Sequence, residues 1–183
     1  MVQRSLVAGL VLVVLVVAGA GVAAFVVLRD SRPAGPPCTV TVDGHSYGLD
    51  REQVANAQTI SQKATDRGLP HHAVTVALAA AFQESTLHNL THGDRDSVGL
   101  FQQRPSQGWG TPAQLLDTSY ASEAFLRALS QVPGWAAMPV AEAAQSVQHS
   151  AAPGAYAKWE TEARSLARAV TGEVSGALKC RAG

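Results

Sequence analysis

The stretch PHHAVTVALAAAFQES, residues 70–85, reads as a helix built for burial that ends in a carboxylate. Pro70 opens it, since a proline costs nothing in a first turn whose N–H groups have no intrahelical partner. Small and apolar residues then run almost without interruption to Glu84 and Ser85 in the last turn. Counting back from Glu84 by three, four, seven and eight positions gives Ala81, Ala80, Ala77 and Val76, so Glu84 continues a stripe of small side chains. Such a stripe lets other backbones come close. A carboxyl partly withdrawn from water there has its pKa raised, and a glutamate tuned towards neutral pH can act as a general acid. The competing reading is a solvated glutamate at a fraying helix end.

The flanking sequence places this helix in a mostly helical domain. Upstream, Asp50 followed by Gln53 resembles a capping box for a helix that carries Val54, Ala57, Ile60 and Ala64 on one face and stops at Gly68. Before it, CTVTVDGHSYGL (38–49) alternates around Asp43-Gly44 and predicts a short β-hairpin. Downstream, residues 88–110 form a loop too long for a plain connector, rich in Gly, Asp, Gln and Trp. Three further helices are predicted over 118–131, 140–150 and about 155–170.

The amino-terminal end is different. Residues 5–28, SLVAGLVLVVLVVAGAGVAAFVVL, contain no charge, and at about 1.5 Å per residue a helix of that length crosses a bilayer core of about 30 Å. This predicts a transmembrane helix, with a cleaved signal peptide as the rival because Ala18-Gly19-Ala20 supplies small residues. The expected organisation is a short cytoplasmic end and anchor over 1–30, a linker over 31–37 and one domain over 38–183. The chain has 183 residues and a formal net charge of zero, which leaves no basic face for phosphates and excludes nucleic acid as an expected partner.

Two cysteines, Cys38 and Cys180, bracket that domain without forming a CxxC pair or a metal-ligand spacing. Paired, they tie the first strand to the tail, a closure worth roughly 4 to 5 kcal/mol on the chain-entropy argument; unpaired, they are two buried thiols. Disulfides persist outside the cytosol, so the favoured expectation is an exported domain on a membrane tether.

The loop after Glu84 carries Gly99-Leu100-Phe101-Gln102, and Glu84-Ser85 followed at this distance by that tetrad resembles the Glu-Ser and Gly-Leu-(Met/Phe)-Gln motifs of the lytic transglycosylase and goose-type lysozyme superfamily. A third motif of that superfamily, Ala-Tyr-Asn, is matched in part by Ala155-Tyr156-Ala157. The resemblance spans about residues 50–170. It implies a lysozyme-like helical domain that cleaves peptidoglycan between N-acetylmuramic acid and N-acetylglucosamine, with a 1,6-anhydro product. Glu84 is then the catalytic acid and base and Ser85 its support. Gly99 lets the backbone approach the sugar, Gln102 bonds the glycan, and Tyr156 reaches towards Glu84. Ala157 departs from the motif; Gln103 or Arg104 then supplies the missing polar contact.

Most glycosidases use two carboxylates. The resemblance implies that one suffices here, because the substrate's own N-acetyl group assists departure and Glu84 then activates the 6-hydroxyl. Asp94 or Asp96 as a second carboxylate gives hydrolysis instead, although aspartate in a glycine-containing loop is commonly a turn former. Trp109, set between glycines, stacks on a sugar or plugs the core. Trp135 and Trp159 read as packing residues. His88 and His92 with the nearby aspartates do not make a metal motif, and no metal or organic cofactor is expected. One anchor and one domain suggest a monomer outside the cytoplasmic membrane, with the glycan as its partner; a glycan-binding module without turnover is the alternative.

Overall fold

The computed structural model describes residues 12–18, 21–27, 37–150 and 152–181. The chain divides into two compact units, Met1–Gly35 and Pro36–Gly183.

In the first unit, β1 (Leu12–Ala18) and β2 (Gly21–Val27) pair antiparallel, with Leu12 opposite Val27 and Ala18 opposite Gly21. The described residues of the expected transmembrane helix over 5–28 are therefore strand and not helix. The composition accounts for this: LVVLVVA and GVAAFVV are rich in β-branched valine, which is stiff at χ1 and fits a pleated strand better than a helix. Length and hydropathy, which drove the helical expectation, do not separate the two states. Among the described residues no helix is long and apolar enough to cross a membrane. The end before residue 12 and most of the expected linker, 31–36, lie outside the described residues.

The second unit is mainly helical. It opens with β3 (Cys38–Val42) and β4 (His45–Leu49), joined through Asp43 and Gly44 at φ 50° and 81°. Two successive positive φ values are what a tight hairpin turn matched to strand twist requires, which is why Asp-Gly stands there. A third strand, β5 (Leu178–Cys180), pairs with the other edge of β3 and gives the order β4-β3-β5. The register sets Cys38 opposite Cys180, and the two form a disulfide across 142 residues of chain. The paired reading of the cysteines holds, and the chain contains no free cysteine.

Helix α1 (Arg51–Asp66) begins at the expected capping box, in which Asp50 Oδ1 accepts from Gln53 N–H and Gln53 Oε1 from Asp50 N–H. Helix α2 (His71–Ser85) has Pro70 as its N-cap and buries every residue from Ala73 to Phe82. A helix apolar all round belongs in the middle of a core. It packs against α1, α4 (Thr118–Ser130), α5 (Val140–Gln148) and α6 (Glu160–Val170). A short α3 (Pro112–Leu115), absent from the sequence reading, starts at Thr111 with its own capping box to Gln114.

The last predicted helix is divided. Its first part, Pro153–Trp159, is a 3₁₀ segment, and only Glu160–Val170 is α-helical. Phe101 stacks on Phe125 in the core at 4.6 Å between ring centroids, which anchors the long loop to α4.

Candidate active site around Glu84

Helix α2 ends abruptly after Glu84-Ser85. Thr86 and Leu87 both take left-handed backbone, φ 53° and 63°, and Leu87 N–H reaches back to the Ala81 carbonyl while Thr86 N–H bonds that of Phe82. The Thr86 bond is the closure of an αL cap, and the Leu87 bond reaches one residue further back, with a β-branched and a bulky residue where glycine is the usual occupant. Such conformations cost about 1 to 3 kcal/mol each and persist only where surroundings hold them. Here Leu87 is fully buried, and its carbonyl accepts from Asn56 Nδ2 of α1 at 2.8 Å. The end of α2 is thus fixed from both sides.

Glu84 sits at that end, half-buried, on the stripe formed by Ala77, Ala80 and Ala81, all of zero exposure. Tyr156, itself fully buried, donates its hydroxyl to Glu84 Oε1 at 2.8 Å. Burial pushes the Glu84 carboxyl above its ordinary pKa, and the Tyr156 hydrogen bond offsets only part of that rise. The Tyr156 phenol is pushed up in turn, first by burial and then by the carboxylate beside it. Glu84 therefore keeps its proton to higher pH than a solvated glutamate, while Tyr156 stays a donor.

Ser85, next in sequence, donates to the Leu100 carbonyl at 2.7 Å and also lies 3.1 Å from the Ala81 carbonyl. The loop tetrad is thereby stitched directly to the residue beside Glu84. Ser85 supports the site through the loop backbone.

The remaining loop residues have structural contacts of their own. Gly99 has φ 80°, and a Cβ there would stand 2.2 Å from the Leu115 carbonyl oxygen. The backbone that needs the glycine is that of α3, inside the protein. Gln102, at φ 47°, turns its amide nitrogen to the Gly99 carbonyl at 3.1 Å and to the His92 carbonyl at 3.5 Å. Its Oε1 covers Gly93, where an added Cβ would come within 1.7 Å. Gln102 therefore folds the loop as well as lining its outer face. Gln103 is buried, with Nε2 3.5 Å from the Ala121 carbonyl and Oε1 without a protein partner.

Asp96 accepts from Arg104 Nε at 2.7 Å and from Ser106 N–H at 2.8 Å. These bonds hold its carboxyl well below the usual range, and both partners belong to the loop. Arg104 and Asp96 form a loop staple. Asp94 is almost fully exposed.

Trp109 is half-buried against the core and also faces a surface cavity. Trp159 stacks on Phe82 at 5.2 Å and donates Nε1–H to Gln83 Oε1 at 3.1 Å, a packing role. Trp135 stacks with His72 at 6.1 Å. Among the described residues no group of three or more His, Cys, Asp or Glu side chains is arranged to hold a metal ion.

No family model matches the chain, and no curated protein matches it significantly. The functional reading therefore rests on the residues and their geometry.

Three contacts have no forerunner in the sequence reading. His88 Nε2 lies 2.8 Å from Asp50 Oδ2, and His88 Nδ1 lies 3.1 Å from Thr86 Oγ1, which ties the cap of α1 to the turn behind Glu84. Burial works against the charged imidazole, yet Asp50 and Glu52 together outweigh it and raise the His88 pKa. Gln148, at the end of α5, donates Nε2–H to the Phe101 carbonyl at 3.1 Å. Asp50 and Gln148 have ordinary local explanations as a cap and a helix end, and only their distance across the fold reveals the second role.

Proposed function

We propose that this protein cleaves the glycan strand of peptidoglycan between N-acetylmuramic acid and N-acetylglucosamine, as a lytic transglycosylase. The observation that carries the reading is the Glu84 carboxyl, sheltered at the end of an alanine-lined helix and bonded to the Tyr156 hydroxyl. It is a single acid with a raised pKa beside a loop fixed by Ser85. In the proposed reaction Glu84 gives its proton to the glycosidic oxygen as the C1–O bond breaks, and the substrate's acetamido carbonyl oxygen bonds C1 from the other face. Glu84, now a carboxylate, takes the proton of the 6-hydroxyl. That oxygen replaces the acetamido oxygen at C1, giving a 1,6-anhydro end and restoring the acid without consuming water.

We favour the anhydro product over hydrolysis because one of the two candidate second carboxylates is already engaged. Asp96 is tied to Arg104 and Ser106, so it is poorly placed to position water. The disulfide supports an oxidising compartment, and we place the domain outside the cytoplasmic membrane. The apolar segment 5–28 is proposed as its tether. An open two-stranded ribbon leaves outer N–H and C=O groups unsatisfied in hydrocarbon, so crossing a bilayer requires this segment to leave the hairpin for a helix.

The test is Glu84→Gln on purified sacculi, with released fragments weighed by mass spectrometry. Wild type is expected to release anhydro-ended muropeptides. The variant is expected to release none while keeping its helical circular dichroism and melting no lower. Reducing ends from the wild type indicate a muramidase; binding to sacculi without any release by the wild type indicates a glycan-binding module; undiminished release by Glu84→Gln removes Glu84 from the reaction.

A further inference from the structure

Four consecutive residues behind Glu84, from Thr86 to Asn89, are each bonded by a side chain of α1 or of its cap. Gln53 Nε2–H donates to the Thr86 carbonyl at 2.9 Å, and Asn56 Nδ2–H donates to the Leu87 carbonyl at 2.8 Å. His88 meets Asp50 Oδ2, and Asn89 N–H donates to Glu52 Oε1 at 2.8 Å. Glu52 and Gln53 lie four and three positions before Asn56, so the three share one edge of the helix, and that edge runs along the turn.

Asn56 differs from its neighbours on that edge in being buried, 5 % exposed, on a helix that otherwise turns Val54, Ala57 and Ile60 inward. A carboxamide withdrawn from water is costly unless it is bonded, and asparagine is a poor residue for a helix interior. What it supplies there, and an apolar residue does not, is the donor to Leu87. The turn needs that support. Thr86 and Leu87 hold φ 53° and 63°, a backbone that a β-branched and a bulky side chain disfavour. Leu87 N–H is bonded within its own helix end, to the Ala81 carbonyl, so the Leu87 carbonyl is the group by which another element holds the residue. Without that hold the last turn of α2 frays, and Glu84 lies in that turn.

We propose that Asn56 is a positioning residue for Glu84: by holding the Leu87 carbonyl it keeps the left-handed turn closed and the carboxyl within reach of Tyr156. Gln53 is the outer part of the same clamp. The inference rests on the reading of Glu84 as the acid, and adds a residue that acts on it through the backbone alone. Burial raises the Glu84 pKa, and the Tyr156 hydroxyl facing it lowers it by less. A frayed helix end gives up both effects, so the carboxyl returns towards its ordinary value and the net movement is downward. Removing the Tyr156 hydroxyl alone moves it the other way.

The experiment titrates the Glu84 carboxyl carbon by NMR, assigned with Glu84→Gln, in full-length wild type, Asn56→Ala, Gln53→Met and Ile60→Val, alongside urea unfolding and fragment release from sacculi. Asn56→Ala is expected to lower the Glu84 midpoint by about half a pH unit and the rate of release about tenfold. Gln53→Met removes the surface bond to Thr86 while the Asp50 side chain still caps α1, and is expected to move the midpoint the same way by less. Ile60→Val deletes a buried methyl from the same helix, and is expected to lower the urea midpoint and leave the Glu84 titration in place. An Asn56→Ala protein that is less stable yet titrates as wild type makes Asn56 structural only and overturns the proposal, as does an equal shift in Ile60→Val. Where Asn56→Ala does not fold, Gln53→Met decides, and an unmoved midpoint there overturns it. Cleavage of sacculi by wild type with unmoved titrations in the variants sinks this inference alone. An Asn56-dependent titration in a protein that never cleaves sacculi sinks the catalytic reading alone.

Discussion

Replacing Tyr156 by phenylalanine tests the core of the site, because it removes one oxygen from a fully buried ring and leaves the packing in place. The hydroxyl lies 2.8 Å from Glu84 Oε1 and works against the rise that burial imposes on this carboxyl. A hydrogen bond to a charged group contributes about 1.5 to 3 kcal/mol. Tyr156 also touches the protonated acid, so only the part specific to the carboxylate counts. Taking the lower end, about 1.4 kcal/mol is one decade in proton affinity.

The sign follows from the role. A general acid must enter the reaction protonated, so kcat/KM falls as pH rises through its pKa in the free enzyme. In Tyr156→Phe the carboxylate loses a stabilising donor, the acid holds its proton to higher pH, and the alkaline limb is expected to move upward by on the order of one pH unit. The assay is the release of soluble fragments from sacculi, measured as kcat/KM across the pH range. Tyr47→Phe is the control: that hydroxyl donates to the Glu162 carbonyl at 2.7 Å, on β4 against α6, and its loss is expected to leave the limb in place. A limb that stays fixed in Tyr156→Phe, or moves down, refutes the coupling between Tyr156 and Glu84 as the source of tuning.

Ser85→Ala removes the bond that holds Leu100, leaving a buried carbonyl without its partner, and should cost about 1 to 3 kcal/mol in urea unfolding, with a larger proportional loss of activity because the loop beside Glu84 is released. The pair of Asp50 and His88 predicts a window in pH. Asp50 has a lowered pKa, since the Gln53 N–H and His88 outweigh its burial, so its contribution is lost as pH falls through the folded value. His88 has a raised pKa, so its contribution is complete below the unfolded value and is lost as pH rises through the folded one. Thermal melts of the wild type minus His88→Ala should therefore show a difference largest in mildly acidic solution and shrinking on both sides; a difference flat in pH rejects the ion pair.

What the sequence made legible was local. The capping box at Asp50, the turn at Asp43-Gly44 and the apolar run of α2 are each settled by residues within one or two turns of each other, and each stands in the structure as read. The apolar segment 5–28 was not legible, because its pattern is uniform: with no polar residue to mark a period of two or 3.6, only valine content distinguishes strand from helix. Strand β5 was too short to carry a pattern of its own and is defined by its pairing with β3 through Cys180.

The site shows the same division one level up. Glu84 and Tyr156, 72 residues apart, were paired only through a resemblance of motifs, and the fold brings them to hydrogen-bond distance because α2 packs against the 3₁₀ segment. For Gly99 and Gln102 the residue types were legible and the reasons were not. Gly99 is demanded by the Leu115 carbonyl and the Gln102 amide by two loop carbonyls, so these residues shape the loop before any sugar arrives. A loop residue required by the internal packing of a binding surface leaves the same mark in sequence as one that touches the ligand. Gln148 was not legible either: it bonds the Phe101 carbonyl from α5, and no motif in the loop predicted that contact.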